Sequence, residues 1–176
     1  MASSTDALLL RAMPWVFVLI WSTGFVVARF GMPHAPPFGF LVIRYALSVL
    51  CFGVWIAWAR AAWPRGRAQW FHLAVTGVLM HAGYLGGVWT AVKLGLGAGT
   101  VALLVGLQPV LTALWLTARS GDKQHHAVSS RQWLGLLLGL AGLTLVVWRE
   151  LGAGEISATN LALAIGALLS ITAGTL

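Results

Sequence analysis

Long apolar runs alternate with short polar interruptions along the chain, and the runs have the length of a bilayer crossing. Six stretches of 17 to 23 residues carry almost no charge: approximately Met13 to Phe30, Phe38 to Trp58, Trp70 to Val92, Gly99 to Ala118, Gln132 to Trp148 and Thr159 to Leu176. A hydrocarbon core about 30 Å thick needs roughly 20 residues of helix rising 1.5 Å each, so every run predicts one transmembrane helix. The connections are short enough to force antiparallel neighbours. Gly31 to Pro37 (GMPHAPP) is a Pro-rich turn, Lys93 to Ala98 (KLGLGA) is Gly-rich, and Arg119 to Arg131 is the longest polar stretch. The pattern predicts an all-α, polytopic membrane helix bundle of about six transmembrane helices with no soluble domain.

Composition agrees: 59% of the 176 residues are hydrophobic and only 9% charged, far from a soluble domain. The net charge of +7 does not indicate a nucleic-acid partner, because the basic residues lie between spans rather than on one soluble face. They read as topology signals instead. Arg11, Arg60, Arg65, Arg67, Arg119, Lys123 and Arg131 fall on one side, against Arg29, Lys93 and Arg149 on the other, with Arg44 inside a span. That asymmetry predicts a multi-pass protein of the cell inner (plasma) membrane with a cytoplasmic N-terminus. Trp15, Trp55, Trp58, Trp63, Trp70, Trp89, Trp115, Trp133 and Trp148 lie between spans or near span ends, as an aromatic belt requires, whereas Trp21 alone is mid-span. The first run lacks a small-residue cleavage site and is followed by five more, so it reads as a retained helix and not a signal peptide. Cys51 stands alone within the second span and reads as core filler.

Small residues mark faces where helices can approach closely. Ala162, Gly166, Ser170 and Gly174 recur every four residues in the last span, Gly135 and Gly139 in the fifth, and Gly83 and Gly87 in the third. Packing within the chain is the expected use, with dimerisation as the alternative. The last run stops at Leu176 without a basic or aromatic anchor, which leads us to expect a chain cut off there, with the terminal stripe's partner in missing sequence or a second subunit.

Three groups of polar side chains reach mid-depth: Trp21, Ser22 and Thr23 in the first span, His81 and Tyr84 in the third, and Gln108 with Thr112 in the fourth. An amide or imidazole in hydrocarbon without a partner costs several kcal/mol, so these groups are expected to face protein or water. At helical spacing His81 and Tyr84 share a face with Gly77, and Gln108 and Thr112 share one with Trp115. We expect a common midplane cavity, with Gln108 and Pro109 as one wall and Trp21, Ser22, Thr23 and His81 as the other. Pro109 lacks the N–H that the carbonyl of Val105 would accept, predicting a helix kink. For each residue a packing role stays open beside substrate contact; Trp21 suits stacking on a planar or cationic group. Arg44, six residues into its span, either snorkels to the outer interface or faces the cavity, where it would attract an anionic group.

Catalytic chemistry is not expected. There is no HExxH, no GxSxG and no pair of membrane aspartates, and Asp6, Asp122, Glu150 and Glu155 all lie outside the spans. His125 and His126 are adjacent in the long polar loop, where a solvated pair is the plainer reading than a metal site. With no membrane carboxylate, His81 is the only midplane group able to titrate near neutrality, so proton coupling is not expected. No metal or cofactor is expected.

LIWSTGFVVARFG in the first span, PPFGFLVIRYALSVL in the second, GYLGGVWTAVKLGLGAGTVALLVGLQPVLTALWL across the third and fourth, and WLGLLLGLAGLTLVV in the fifth are carried in order. The ordered set, notably Pro then Arg in the second span and Gln-Pro in the fourth, resembles the EamA-type transporters of the drug/metabolite transporter superfamily. The resemblance implies a ten-helix carrier of two inverted five-helix repeats that moves amino acids, other metabolites or drugs, represented in this chain by the first repeat and one further helix. It divides the chain into a tail (1–12), a first repeat (13–149) and the outer loop with the start of a second repeat (150–176). It also implies pocket positions at Trp21, Ser22, Thr23, Arg44, the His81 and Tyr84 region, and Gln108 with Pro109. LLSITAG of the last span resembles LIWSTG of the first. Where the family carries Gly-Glu and a basic residue after its fourth helix, this chain has ARSGDKQHHAVSS. The expected function is a carrier, an exporter, of small metabolites such as amino acids or amphipathic drugs, working by alternating access. The expected partners are the lipid bilayer, a small-molecule substrate, and either a second copy or a missing second repeat. The rival readings are a non-transporting membrane subunit or remnant that packs with a partner and, behind it, an intramembrane enzyme.

Overall fold

A computed structural model describes residues 4–119, 129–153 and 156–176. It is all-helical over those residues: α1 (Ser4–Gly31), α2 (Pro37–Ala59), α3 (Arg67–Gly77), a π-helical segment (Val78–Leu85), α4 (Gly86–Lys93), α5 (Ala98–Val105), α6 (Gln108–Arg119), α7 (Ser130–Ala153) and α8 (Ala158–Thr175). Five continuous helical stretches are long and apolar enough to cross a membrane: Leu10–Gly31, Pro37–Ala59, Arg67–Lys93, Ala98–Arg119 and Ala158–Thr175, with Ser130–Val146 a shorter apolar helix. These are the six runs of the sequence pattern, most of their ends shifted by one to three residues. The polar loop with Asp122, Lys123, His125 and His126 lies outside the described residues, as does Glu155.

The turns follow from local chemistry. Pro36 holds an extended φ of −69° and Pro37 occupies the first turn of α2, where a missing N–H costs nothing. Between α4 and α5, Gly95 takes φ +92°, a left-handed conformation that glycine reaches without a Cβ clash. Ser157 caps α8 by accepting from the Asn160 N–H, and the Asn160 side chain accepts from the Ser157 N–H in return, closing a capping box.

Two spans are not regular rods. The third changes from α to π over Val78–Leu85 and back again, a widening that the hydropathy pattern does not reveal. The fourth is broken at Gly106 and Leu107: the Leu107 N–H donates to Leu104 in a tight turn, and α6 starts afresh with Val110 and Leu111 donating to the Leu107 carbonyl. Pro109 therefore sits in the first turn of α6, and the expected kink takes the form of a two-residue turn at Gly106 and Leu107 within the span.

The core gathers around the C-terminal half of the third span. Tyr84, Val88, Trp89 and Ala91 are buried against Ala164, Ala167 and Ile171 of α8, with Val101, Leu104 and Val105 of α5 completing the cluster. α8 lies antiparallel to the third span: the Asn160 amide donates to the Leu94 carbonyl at one end and the Ser170 hydroxyl to the Leu79 carbonyl further in. Close approach is what the glycines supply. A Cβ on Gly87 would stand 3.0 Å from Ala167 Cβ and from the Leu163 carbonyl oxygen, and one on Gly174 would meet Met80 and Leu79. The third and sixth spans thus interlock within the chain through small residues.

The other stripe is not used in this way. Nothing lies within 4 Å of a Cβ built on Gly135 or Gly139, nor on Gly166 in the last span's own stripe. α7 touches α5 instead and buries Leu143, and its glycines make no close helix contact. Outside the core the surface is apolar, with Phe17, Ile20, Leu50 and Phe52 among many exposed side chains, a surface suited to hydrocarbon and not to water.

The glycine contacts predict opposite outcomes for one substitution at two sites. Gly87→Ala forces Ala167 and the α8 backbone apart and lowers unfolding stability in detergent by about 1–3 kcal/mol, the usual range for overpacking. Gly166→Ala meets nothing and raises it by up to about 1 kcal/mol through helix propensity.

Candidate functional site

The midplane residues assemble into two separate places. Trp21 and Gly24 of α1, Arg44 of α2, and Met80, His81, Tyr84 and Trp89 of the third span line a cavity of about 210 Å³. A groove of about 740 Å³ continues from it between α1 and α2, past Thr23, Leu47, Ser48 and Cys51. Gln108, Pro109 and Thr112 line a different cleft of about 590 Å³ between α6 and α7, together with Gln132 and Gly135. The expectation of one cavity with Gln108 and Pro109 facing Trp21 and His81 is therefore not what the described helices form. The reason is the helix break: α6 leaves the line of α5 after Leu107, and the Gln108 amide donates to the Thr175 hydroxyl of α8 at 3.0 Å.

Aromatic contacts build the first cavity. Trp21 and Tyr84 stack with centroids 5.9 Å apart and planes 13° from parallel. The Arg44 guanidinium lies over the Trp89 ring, 5.8 Å from its centroid, and Phe40 packs against the same ring at 4.9 Å. A cation over an aromatic face in a poorly hydrated setting is a favourable contact of about 0.5–2 kcal/mol. Of the two orientations open to Arg44, the inward one is adopted: it lines both the cavity and the groove. No carboxylate lines either among the described residues.

The π segment explains how His81 and Tyr84 come to this wall. Adding one residue to the helical turn changes the angle between neighbours, so His81 and Tyr84 line one cavity while Gly77, on their face at α-helical spacing, does not. Tyr84 is 4% exposed and buried in the core, whereas His81 is exposed towards the cavity; Gly77 lines none of it. A π turn also leaves a carbonyl open to a side-chain donor. The Tyr45 hydroxyl fills that role, donating to the His81 carbonyl at 3.1 Å while its ring meets the imidazole edge to face at 5.2 Å.

The first-span hydroxyls satisfy themselves locally. Ser22 donates to the Leu19 carbonyl and Thr23 to that of Ile20, bonds that let both sit in an apolar helix without a partner from another span. Thr23 faces the groove, but Ser22 lines neither cavity nor groove.

Two residues of this site were not among the sequence candidates. Trp89 was placed in the interfacial belt because it lies one turn from the end of its span, yet it is 1% exposed beneath Arg44. Tyr45 is adjacent to Arg44, and a phenol that deep in an apolar helix needs an acceptor, which was the signal available for it. Among the described residues no three His, Cys, Asp or Glu side chains gather as a metal site.

A polytopic bundle of apolar helices, two of them interrupted near mid-span and one cation placed on an aromatic wall, defines a membrane protein with a polar-lined interior site. The family model of the EamA-like transporter family matches residues 12–148, and the chain belongs to that family, part of the drug/metabolite transporter superfamily. No curated protein and no solved structure matches it.

The Tyr45 bond can be tested apart from any activity. Tyr45→Phe keeps the ring against His81 but removes the donor to its carbonyl, and is expected to lower unfolding stability by about 1 kcal/mol. Chemical denaturation in detergent, followed by tryptophan fluorescence, reads the change.

Proposed function

We propose that the protein is a carrier, an exporter, that moves small metabolites of apolar or aromatic body and anionic end, aromatic and aliphatic amino acids among them, across the plasma membrane. The observation that carries this reading is Arg44, a membrane-embedded cation held over Trp89 at the edge of an aromatic cavity that no described carboxylate lines. A charge so placed attracts an anion strongly, because the surrounding dielectric is low and no described carboxylate competes. Trp21 and Tyr84 offer a stacked apolar wall for the body of the same molecule. Amphipathic cations fit this wall less well, since Arg44 repels them.

In this reading the N-terminus is cytoplasmic, residues 13–149 form the first of two inverted repeats, and α8 is the first helix of the second. Movement is by alternating access: helices of the first repeat rock against their inverted counterparts around a fixed site. The interruptions at Val78–Leu85 and Gly106–Leu107 support it, because irregular backbone at membrane depth is tolerated where it lines a cavity. Gln108 and Thr112 belong to the substrate path in a second position, on the α6–α7 cleft.

The test is flux in lipid vesicles containing the chain, with a panel of amino acids, aromatic carboxylates and amphipathic cations, read beside quenching of tryptophan fluorescence as a measure of binding. Arg44→Gln is expected to lower flux of the anionic substrates about tenfold or more, the loss of one charge-assisted contact, with Arg44→Lys intermediate. Absence of flux and of quenching for every compound would overturn the proposal and favour a membrane subunit that packs with a partner.

A further inference from the structure

A second basic recess lies away from the Arg44 cavity, at the end of the bundle where α1, α4 and α5 meet. It has a volume of about 730 Å³ and is lined by Arg29, Lys93 and the backbone from Gly95 to Thr100, with Val146 of α7 on one wall. Four kinds of donor converge there. Arg29 contributes a guanidinium; Lys93 gives one proton to the Met32 carbonyl, which fixes its ammonium and leaves two more. The N-terminus of α5 has Gly97 as its cap residue and no side-chain cap, so the N–H groups of Ala98, Gly99 and Thr100 have no partner among the described residues. Gly99 keeps the approach open, with nothing within 4 Å of where a Cβ would stand.

Thr100 supplies the independent sign of a ligand. It is 4% exposed, its side chain lines the recess, and its hydroxyl makes no hydrogen bond among the described residues, unlike Thr90, Thr172 and Thr175, which all donate to carbonyls of their own helix. No side-chain oxygen among the described residues is both shut off from open space and without a partner, so this hydroxyl opens to the recess itself and is free to donate to what occupies it. No carboxylate lines this recess among the described residues, so the site presents donors and positive charge only.

We propose that this recess binds a phosphate group. Three or four oxygens on a compact anion match a guanidinium, an ammonium, a hydroxyl and the N–H groups of a helix start, the combination by which helix N-termini hold phosphates. The room beyond one phosphate admits either the headgroup of an anionic phospholipid or a free phosphate-bearing solute. The site is separate from the Arg44 cavity and shares no lining residue with it.

Two measurements separate the sources. The chain in phosphatidylcholine nanodiscs is titrated with inorganic phosphate by calorimetry; the chain taken from vesicles of phosphatidylcholine and phosphatidylglycerol is examined by native mass spectrometry for retained lipid. Saturable phosphate binding assigns a free solute, and preferential retention of one phosphatidylglycerol assigns the lipid. In whichever arm responds, Arg29→Gln is expected to weaken binding roughly ten- to a hundredfold and Thr100→Val several-fold, while Arg131→Gln on α7 leaves it unchanged. Both test variants are conservative, the first at an exposed position and the second isosteric, and unaltered helicity by circular dichroism checks that they fold. No saturable phosphate binding together with no lipid preference overturns the proposal, as does binding that is equal in Arg29→Gln, Thr100→Val and the parent chain.

Discussion

Backbone carbonyls in hydrocarbon have no water to turn to, and in this protein the third span concentrates that constraint. Two of its carbonyls, at Leu79 and His81, and that of Leu94 just past its end accept from side chains of other helices: Ser170, Tyr45 and Asn160. Two of these lie within the π segment, where the helical ladder is loosened and an oxygen can take an outside donor. The partners come from α2 on one side and α8 on the other, so the irregular span is what both neighbours are tied to. Glycines at 83 and 87 then let α8 come close enough for those bonds to form. A regular third helix with larger side chains would lose the ties and the close contact together.

The number and extent of helices were legible because hydrocarbon thickness is a strict length filter and charge is nearly excluded from the spans. Turn chemistry was legible too, at Pro36 and Pro37 and at Gly95. The α-to-π change was not, since it conserves composition and hydropathy and alters only which carbonyl each N–H meets. His81 and Tyr84 line one cavity as their spacing suggests, but Gly77, assigned to the same face, does not. Trp89 illustrates a second limit: depth along a helix is readable from sequence, but azimuth is set by neighbours, and a tryptophan near a span end can turn to lipid or to the core. Arg44 and Trp21 were found as candidates because both are out of place by type and depth. The separation of Gln108 and Thr112 from them depended on how far the chain swings after Leu107, which no local pattern encodes.

The two concavities beside Arg44 and Arg29 share a property that follows from the composition. Described carboxylates are absent from the walls of both, so each presents cations, aromatic faces or bare N–H groups. Arg44 is partly compensated by the Trp89 ring and Lys93 by the Met32 carbonyl. Neutral partners of this kind soften a charge without cancelling it, and leave a net attraction for anions that an ion pair would have removed.

The π segment and the Gly106–Leu107 break also have a mechanical consequence. α4 and α5 are eight residues each and joined by the Gly95 turn, so both interruptions fall at the same distance, about 12 Å, from the shared turn. α4 and α5 form one short hairpin with an irregular joint at the base of each leg. Bending energy concentrates where a ladder is incomplete, so tilting this hairpin as a unit costs less than bending either span elsewhere. Trp89 and Thr100 ride on it, while Arg44 and Arg29 stand on α2 and α1 beside it. A small rotation at the two joints would change both recesses at once, and because α8 packs along α4 and α5 it would carry α8 with it.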